Sequence, residues 1–127
     1  MGVRKIAPDQ RSVGDPTPGI VREEAIAVDG MWSGLARTAP GVVSGWHHHG
    51  THETTIYIVR GAMKIESGPG GAEVVDLEPG DFCHIPAGIV HRESNPSTEE
   101  TQAVVVRAGI GAPTVNVEGP GGSADGQ

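Results

Sequence analysis

Four of the six histidines, His47, His48, His49 and His52, fall within the stretch WHHHGTHE, and Glu53 follows at once. Imidazole is poor core filler, but in its neutral form it is a good ligand for a transition metal. Alternate residues of a strand face the same way, so His47 and His49 share one face while Trp46 and His48 take the other. Glu53 lies just past a turn expected at Gly50, and His91 comes from a second segment, GDFCHIPAGIVHRESN. Three neutral imidazoles and one carboxylate suit a divalent transition metal: iron, manganese, copper, nickel or zinc. An octahedral ion held by four ligands keeps two positions open. The chemistry such a site offers is polarisation of a carbonyl, or oxygen activation if the metal is redox-active.

The elements that must position these residues are short and β-rich. Strands are expected near 20–28, 32–38, 42–49, 54–60, 63–67, 72–77, 81–85, 89–94 and 102–108, with 114–118 as one more. Turn chemistry separates them: APG at 39–41, GPGG at 68–71, EPGD at 78–81, PAG at 86–88 and NPS at 95–97. No segment shows apolar residues at helical spacing. That many strands at this spacing predict an all-β sandwich or barrel. Residues 1–19 read as an N-terminal arm, 20–118 as the β-barrel domain and 119–127 as a flexible C-terminal tail.

Composition narrows the function classes. A chain of 127 residues is one domain. Its net charge of −7 and nine scattered basic residues argue against nucleic acid. No apolar run approaches the length of a membrane span, and the N-terminus lacks the apolar core of a signal peptide. The lone cysteine, Cys83, excludes an internal disulfide and fits a reducing compartment. A cytoplasmic protein with a small-molecule substrate, and with neither nucleic acid nor membrane as partner, is the expectation.

Two spaced motifs then resemble those of the cupin superfamily. Gly41, His47, His49 and Glu53 fit the first, G-x5-H-x-H-x3/4-E-x6-G, up to the acidic residue. Gly80, Pro86, Gly88, His91 and Asn95 fit the second, G-x5-P-x-G-x2-H-x3-N, without a gap. The resemblance implies a double-stranded β-helix, or jelly roll, with one metal held between its sheets by His47, His49, Glu53 and His91. It also implies a homodimer, with the strand at 20–28 available to a neighbour's sheet edge. One departure stands out: the interval from Glu53 to the glycine that closes the motif, Gly61, is one residue too long. Either a β-bulge keeps Glu53 facing inward, or His52 swings in as a fourth imidazole. The spacing from His49 favours Glu53.

That choice also decides what else lines the pocket. With Glu53 inward, Tyr57 shares its side and faces the cavity; on the other register Ile56 and Ile58 face in and the pocket is drier. Glu93 shares the inward parity of His91, which suits it to orienting a ligand or accepting a proton; the plainer alternative is a surface ion pair with Arg37 or Arg92. Arg37 is a candidate fork for a substrate carboxylate. Phe82, Trp46 and Cys83 read as packing residues. The resemblance leaves the reaction open, with an oxygenase leading, an isomerase or decarboxylase next, and a non-catalytic binding or sensing protein as the competing class.

Overall fold

The computed structural model describes residues 2–120. Residues 121–127, most of the segment read as a tail, lie outside them. Eleven strands are present among the described residues, with 3-10 turns at Pro8–Gln10 and Pro69–Gly71. One sheet contains β1 (Ser12–Val13), β2 (Val21–Val28), β3 (Met31–Thr38), β10 (Thr101–Ala108), β5 (Glu53–Arg60) and β8 (Phe82–Ile85), in that spatial order. The other contains β11 (Val115–Asn116), β4 (His47–His48), β9 (His91–Ser94), β6 (Met63–Ser67) and β7 (Glu73–Leu77). All pairings are antiparallel. This is the all-β jelly roll that the motifs implied.

Two faces of alternating residues meet between the sheets. Ile56 and Ile58 of β5, Ala103 and Val105 of β10 and Ile85 of β8 come from one side, Met63 and Ile65 of β6 and Leu77 of β7 from the other. Their burial supplies the main apolar driving force for closing one sheet on the other. The polar end of the same interior holds His47, His49, His91 and Glu93. The barrel is therefore dry towards one end and carries its chemistry at the other.

Most expected strands form within a residue or two of their expected bounds, and β6 matches its range. Residues 42–49 are the main departure, since only His47–His48 form a strand there. The Gly45 amide bonds the Pro18 carbonyl at 2.9 Å, which diverts the backbone from the neighbouring ladder. Upstream, Val43 makes only an isolated bridge to Ser94. The arm read as preceding the barrel contributes β1, which pairs Ser12 with Glu24 and Val13 with Glu23. The strand expected to reach for a neighbour's edge, β2, instead lies inside its own sheet between β1 and β3.

Gly41 and Gly88 of the two motifs have φ of 76° and 75°, a region that costs a side chain strain but not glycine. Asn95, the last residue of the second motif, is a structural clamp. Its side-chain nitrogen donates to the carbonyls of Thr38 and Glu99, at 2.9 and 2.8 Å, and its oxygen accepts from the Ser97 amide at 2.9 Å. It ties the end of β9 to the end of β3.

Strand β5 decides the pocket's lining. Thr54, Ile56 and Ile58 are buried while Glu53 and Thr55 are exposed, so the alternation runs unbroken from residue 53 to 58. A register irregularity does occur against β10, where Gln102 pairs with Arg60 and Ala103 with Ile58. The extra residue is thus Val59, at the far end of the strand, and it does not turn Glu53 inward. Tyr57 lies on the outer face against Phe82, ring centroids 4.7 Å apart, which corrects its placement as a cavity residue. Phe82 is 71% exposed and is not the core filler it was read as. We expect Ile58→Ala to lower stability by about 2–5 kcal/mol in urea unfolding. Tyr57→Phe should change it by less than about 0.5 kcal/mol; equal losses would contradict this register.

Candidate metal centre

His47 of β4 and His91 of β9 are directly opposed partners in an antiparallel pair. His49 lies two residues beyond His47, and Glu93 two residues beyond His91 on the same face, so four side chains converge from two adjoining segments. Ser44 holds the place from below: its amide donates to the Glu93 carbonyl at 2.7 Å, and its hydroxyl accepts from the Glu93 amide at 2.9 Å. The four residues are between 0% and 4% exposed. One ligand atom from each lies within 4.8 Å of the others.

The tautomers follow from the backbone. Each Nδ1 faces a carbonyl oxygen: His47 that of Gly45 at 3.0 Å, His49 that of Pro113 at 2.8 Å, His91 that of Ile89 at 2.9 Å. A carbonyl only accepts, so each Nδ1 carries the proton and each Nε2 presents a lone pair. The Nε2 atoms of His47 and His91 are buried without a hydrogen-bond partner. The Glu93 Oε2 sits 3.4 Å from each of them. Buried polar atoms left this way are costly unless something else satisfies them. A cation would satisfy both the lone pairs and the carboxylate, so these residues fit a divalent metal.

The electrostatics agree with a ligand state. Burial pushes the His47 imidazole down, and burial with the Arg107 charge beside it pulls His49 from 6.5 to about 2. Both are neutral at physiological pH. Burial acts to raise the Glu93 carboxyl, but its contacts with His47 and His91 outweigh that and hold it well below the usual carboxylate range.

The acidic member of the cluster is therefore Glu93 and not Glu53. Glu53 lies outside the barrel, its carboxylate bound to His84 Nε2 at 2.6 Å and to the Ala87 amide at 3.2 Å. The reason is strand parity: Ile56 and Ile58 must face the core, which sends Glu53 outward. His52 does face inward but is not in the cluster; its amide and Nδ1 both engage the His49 carbonyl, at 2.9 and 3.1 Å. Glu93 is not a surface ion-pair partner either. Arg37 lies on the outer face, paired with Glu23 at 3.2 Å and Glu100 at 2.9 Å, which corrects its candidacy as a substrate fork. Arg92 pairs with Glu66 at 2.6 Å. Cys83 packs against the core while His84 stays outside.

Two buried arginines escaped the sequence reading. Arg22 is 3% exposed, with one guanidinium nitrogen donating to the Asp15 carbonyl at 2.9 Å and to the Thr17 hydroxyl at 2.6 Å. Arg107 is 2% exposed and lies 4.7 Å over the Trp32 ring. Burial and the neighbouring Arg22 lower Arg107 to about 9, which leaves it protonated at neutral pH. The only signal was the parity of β10, where Arg107 follows Ala103 and Val105 on the inward face. Trp32 and His52 line a cavity of about 500 Å³, with Asp15, Glu24, Gly30 and Ile110 also in its wall. His49 adjoins it through its bonds to His52 and to the Pro113 carbonyl, and Pro113 is also in its wall.

A closed antiparallel jelly roll around three histidines and a glutamate defines a cupin-type barrel. The Cupin domain family matches residues 34–107, and the chain belongs to that family. Solved structures share the fold. A conserved double-stranded β-helix protein of Klebsiella pneumoniae is 21% identical with a TM-score of 0.73, covering 92% of this chain and 99% of that one. The polyketide cyclase RemF of Streptomyces resistomycificus is 19% identical with a TM-score of 0.74, covering 91% and 86%. An oxalate oxidase is 18% identical with a TM-score of 0.67, covering 84% and 60%. No curated protein matches the chain in sequence.

Two outcomes test the cluster. Glu93→Gln should weaken binding of Co(II) by tenfold or more, about 1.4 kcal/mol, whereas Glu53→Gln leaves it unchanged; calorimetric titration decides, and the reverse order would restore Glu53. The second concerns acid. An unfolded histidine titrates near 6.5, and His49 in the fold titrates near 2, so the unfolded chain binds more protons between those values. The stability due to neutral His49 is complete above about pH 6.5 and is lost as pH falls, by about 1.4 kcal/mol per unit. The metal-free protein should show at least this slope in urea unfolding, with His47 adding to it, and His49→Gln should reduce it.

Proposed function

We propose that this chain is a small metalloenzyme of the oxygenase type, acting on a small oxygen-rich or enolisable organic molecule. The observation that carries the reading is the convergence of three Nε2 lone pairs and the Glu93 carboxylate, with every Nδ1 proton already committed to a carbonyl. Bound there, a redox-active divalent metal would supply oxygen activation and polarisation of a substrate carbonyl or enol. Three neutral imidazoles and one carboxylate leave such a centre with net positive charge, which favours chelating anions. The fold shared with an oxalate oxidase and a polyketide cyclase is compatible with chemistry on oxygen-rich molecules, though at this identity it supports the scaffold alone.

The chain's own residues have separable roles in this reading. His47, His49, His91 and Glu93 hold the metal, and the backbone carbonyls of Gly45, Pro113 and Ile89 keep the rings from rotating. Ile56, Ile58 and Val105 keep water from the far side of the barrel. His52 lines the cavity with its Nδ1 tied to the His49 carbonyl, so its Nε2 is the group suited to moving a proton to or from bound substrate. Tyr57 and Arg37, on the outer face, take no part. A homodimer is proposed as the working assembly.

The test begins with elemental analysis of protein purified without nickel resin. Close to one iron, manganese or copper per chain is expected, absent from a folded His91→Ala variant. Oxygen uptake with small keto and phenolic acids should follow metal content and vanish in that variant. Zinc or nickel at that level would shift the assignment to isomerase or lyase chemistry. No metal, and none on reconstitution, would remove the enzyme reading.

A further inference from the structure

Arg107 is a buried cation with nothing to hold. Its Nε and Nη1 are buried and make no hydrogen bond, and no carboxylate pairs with it among the described residues. This separates it from Arg22, which is held by Thr17 and the Asp15 carbonyl. Chains bury an arginine at substantial cost unless it is paired. The face of the guanidinium is occupied by Trp32, which fixes its plane and leaves the edge, where the N–H groups lie, unsatisfied. Each of the two lies on a different forked edge of the guanidinium, Nε with Nη2 and Nη1 with Nη2, and either edge matches a carboxylate bidentately.

Its position gives the empty fork a purpose. Arg107 is the last inward residue of β10, opposite Trp32 of β3 and Thr54 of β5. That puts it at the polar end of the barrel, behind Trp32, which it stacks on and which walls the cavity together with His52, Asp15 and Glu24. Arg22 and Arg107 bring two positive charges against the buried carboxylate of Glu93 and that of Asp15 in the cavity wall, and a divalent metal would add two more positive charges. With metal bound, an anion restores the balance.

We propose that Arg107 anchors the carboxylate of an organic acid whose neighbouring hydroxyl or carbonyl oxygen reaches the histidine cluster. The substrate class is thereby narrowed to small 2-hydroxy or 2-oxo acids and related chelating carboxylates. The narrowing rests on the metalloenzyme reading, but the anchor itself is a property of the chain and acts without metal.

The experiment is calorimetric titration of glycolate into metal-free and Co(II)-loaded protein, with glycolamide as the uncharged counterpart. Glycolate should bind both forms, more tightly with Co(II), and glycolamide should bind neither measurably. Arg107→Met and Arg107→Lys should each weaken glycolate binding about ten- to hundredfold while binding Co(II) like the wild type. Lysine keeps the charge and loses the fork, so it separates geometry from charge and guards against misfolding of the methionine variant. The urea midpoint of ligand-free Arg107→Met should equal or exceed that of the wild type, because an uncompensated buried charge has gone; a large loss would make Arg107 structural and overturn the proposal. Undiminished glycolate binding in either folded variant would overturn it too, as would tighter binding of inorganic phosphate than of glycolate. Failure of the wild type to bind Co(II) would instead overturn the metal reading, and the metal-free titrations would still decide the role of Arg107.

Discussion

His47 faces His91 across one antiparallel pairing of two very short strands, and the candidate site depends on that register. A slip of one residue would turn one of the two imidazoles to the opposite side of the sheet and bring His48 or Arg92 in beside the other. Strands as short as β4 and β9 do not hold a register by themselves. The surrounding bonds hold it: Ser44 grips both backbone groups of Glu93, the Gly41 amide reaches the Asn95 carbonyl, and Asn95 fastens the end of β9 to the other sheet. Three Nδ1–carbonyl bonds then convert a fixed backbone into fixed lone pairs.

The same interior carries an electrostatic load unusual for a chain with net charge −7. The acidic residues are mostly on the surface, whereas the barrel's polar end holds two buried arginines against one buried carboxylate. Buried charge of this kind weakens a fold, so its presence is better explained by what binds than by what stabilises. The apolar layer of Ile56, Ile58, Ala103, Val105, Ile65 and Leu77 offsets that cost from the other end of the barrel. Stability and chemistry occupy different halves of one core.

Membership of the cupin family accounts for the scaffold and for the histidines, but the features that differentiate this barrel lie elsewhere. The turn at Gly50–Thr51 folds His52 back onto the His49 carbonyl, which removes it from the cluster and leaves it on the cavity wall. Glu53 is released to the surface, where it joins β5 to β8 through His84. The carboxylate role passes to Glu93, on the opposite sheet from β5. The acidic residue thus reaches the cluster from the same strand as His91.

Much of this was legible in the residues. Turn chemistry and period-two patterning marked nearly every strand, and the steps from Gly41 to His49 and from Gly80 to Asn95 identified the fold and all three histidines. The sequence even held the clue to its own exception, because the interval to Gly61 is one residue too long. It could not say where the extra residue goes. That was decided by packing: the bulge formed at Val59, the isoleucines of β5 took the core, and Glu53, Tyr57 and Phe82 were left outside. Glu93 and Arg107 were likewise undetermined by local pattern, since parity says that two residues share a face but not which charges the far sheet brings beside them. Spacing along the chain determined the ligand-bearing segments. The closing of two sheets over a single core, which can bury only one face of each strand, decided which carboxylate and which arginine came with them.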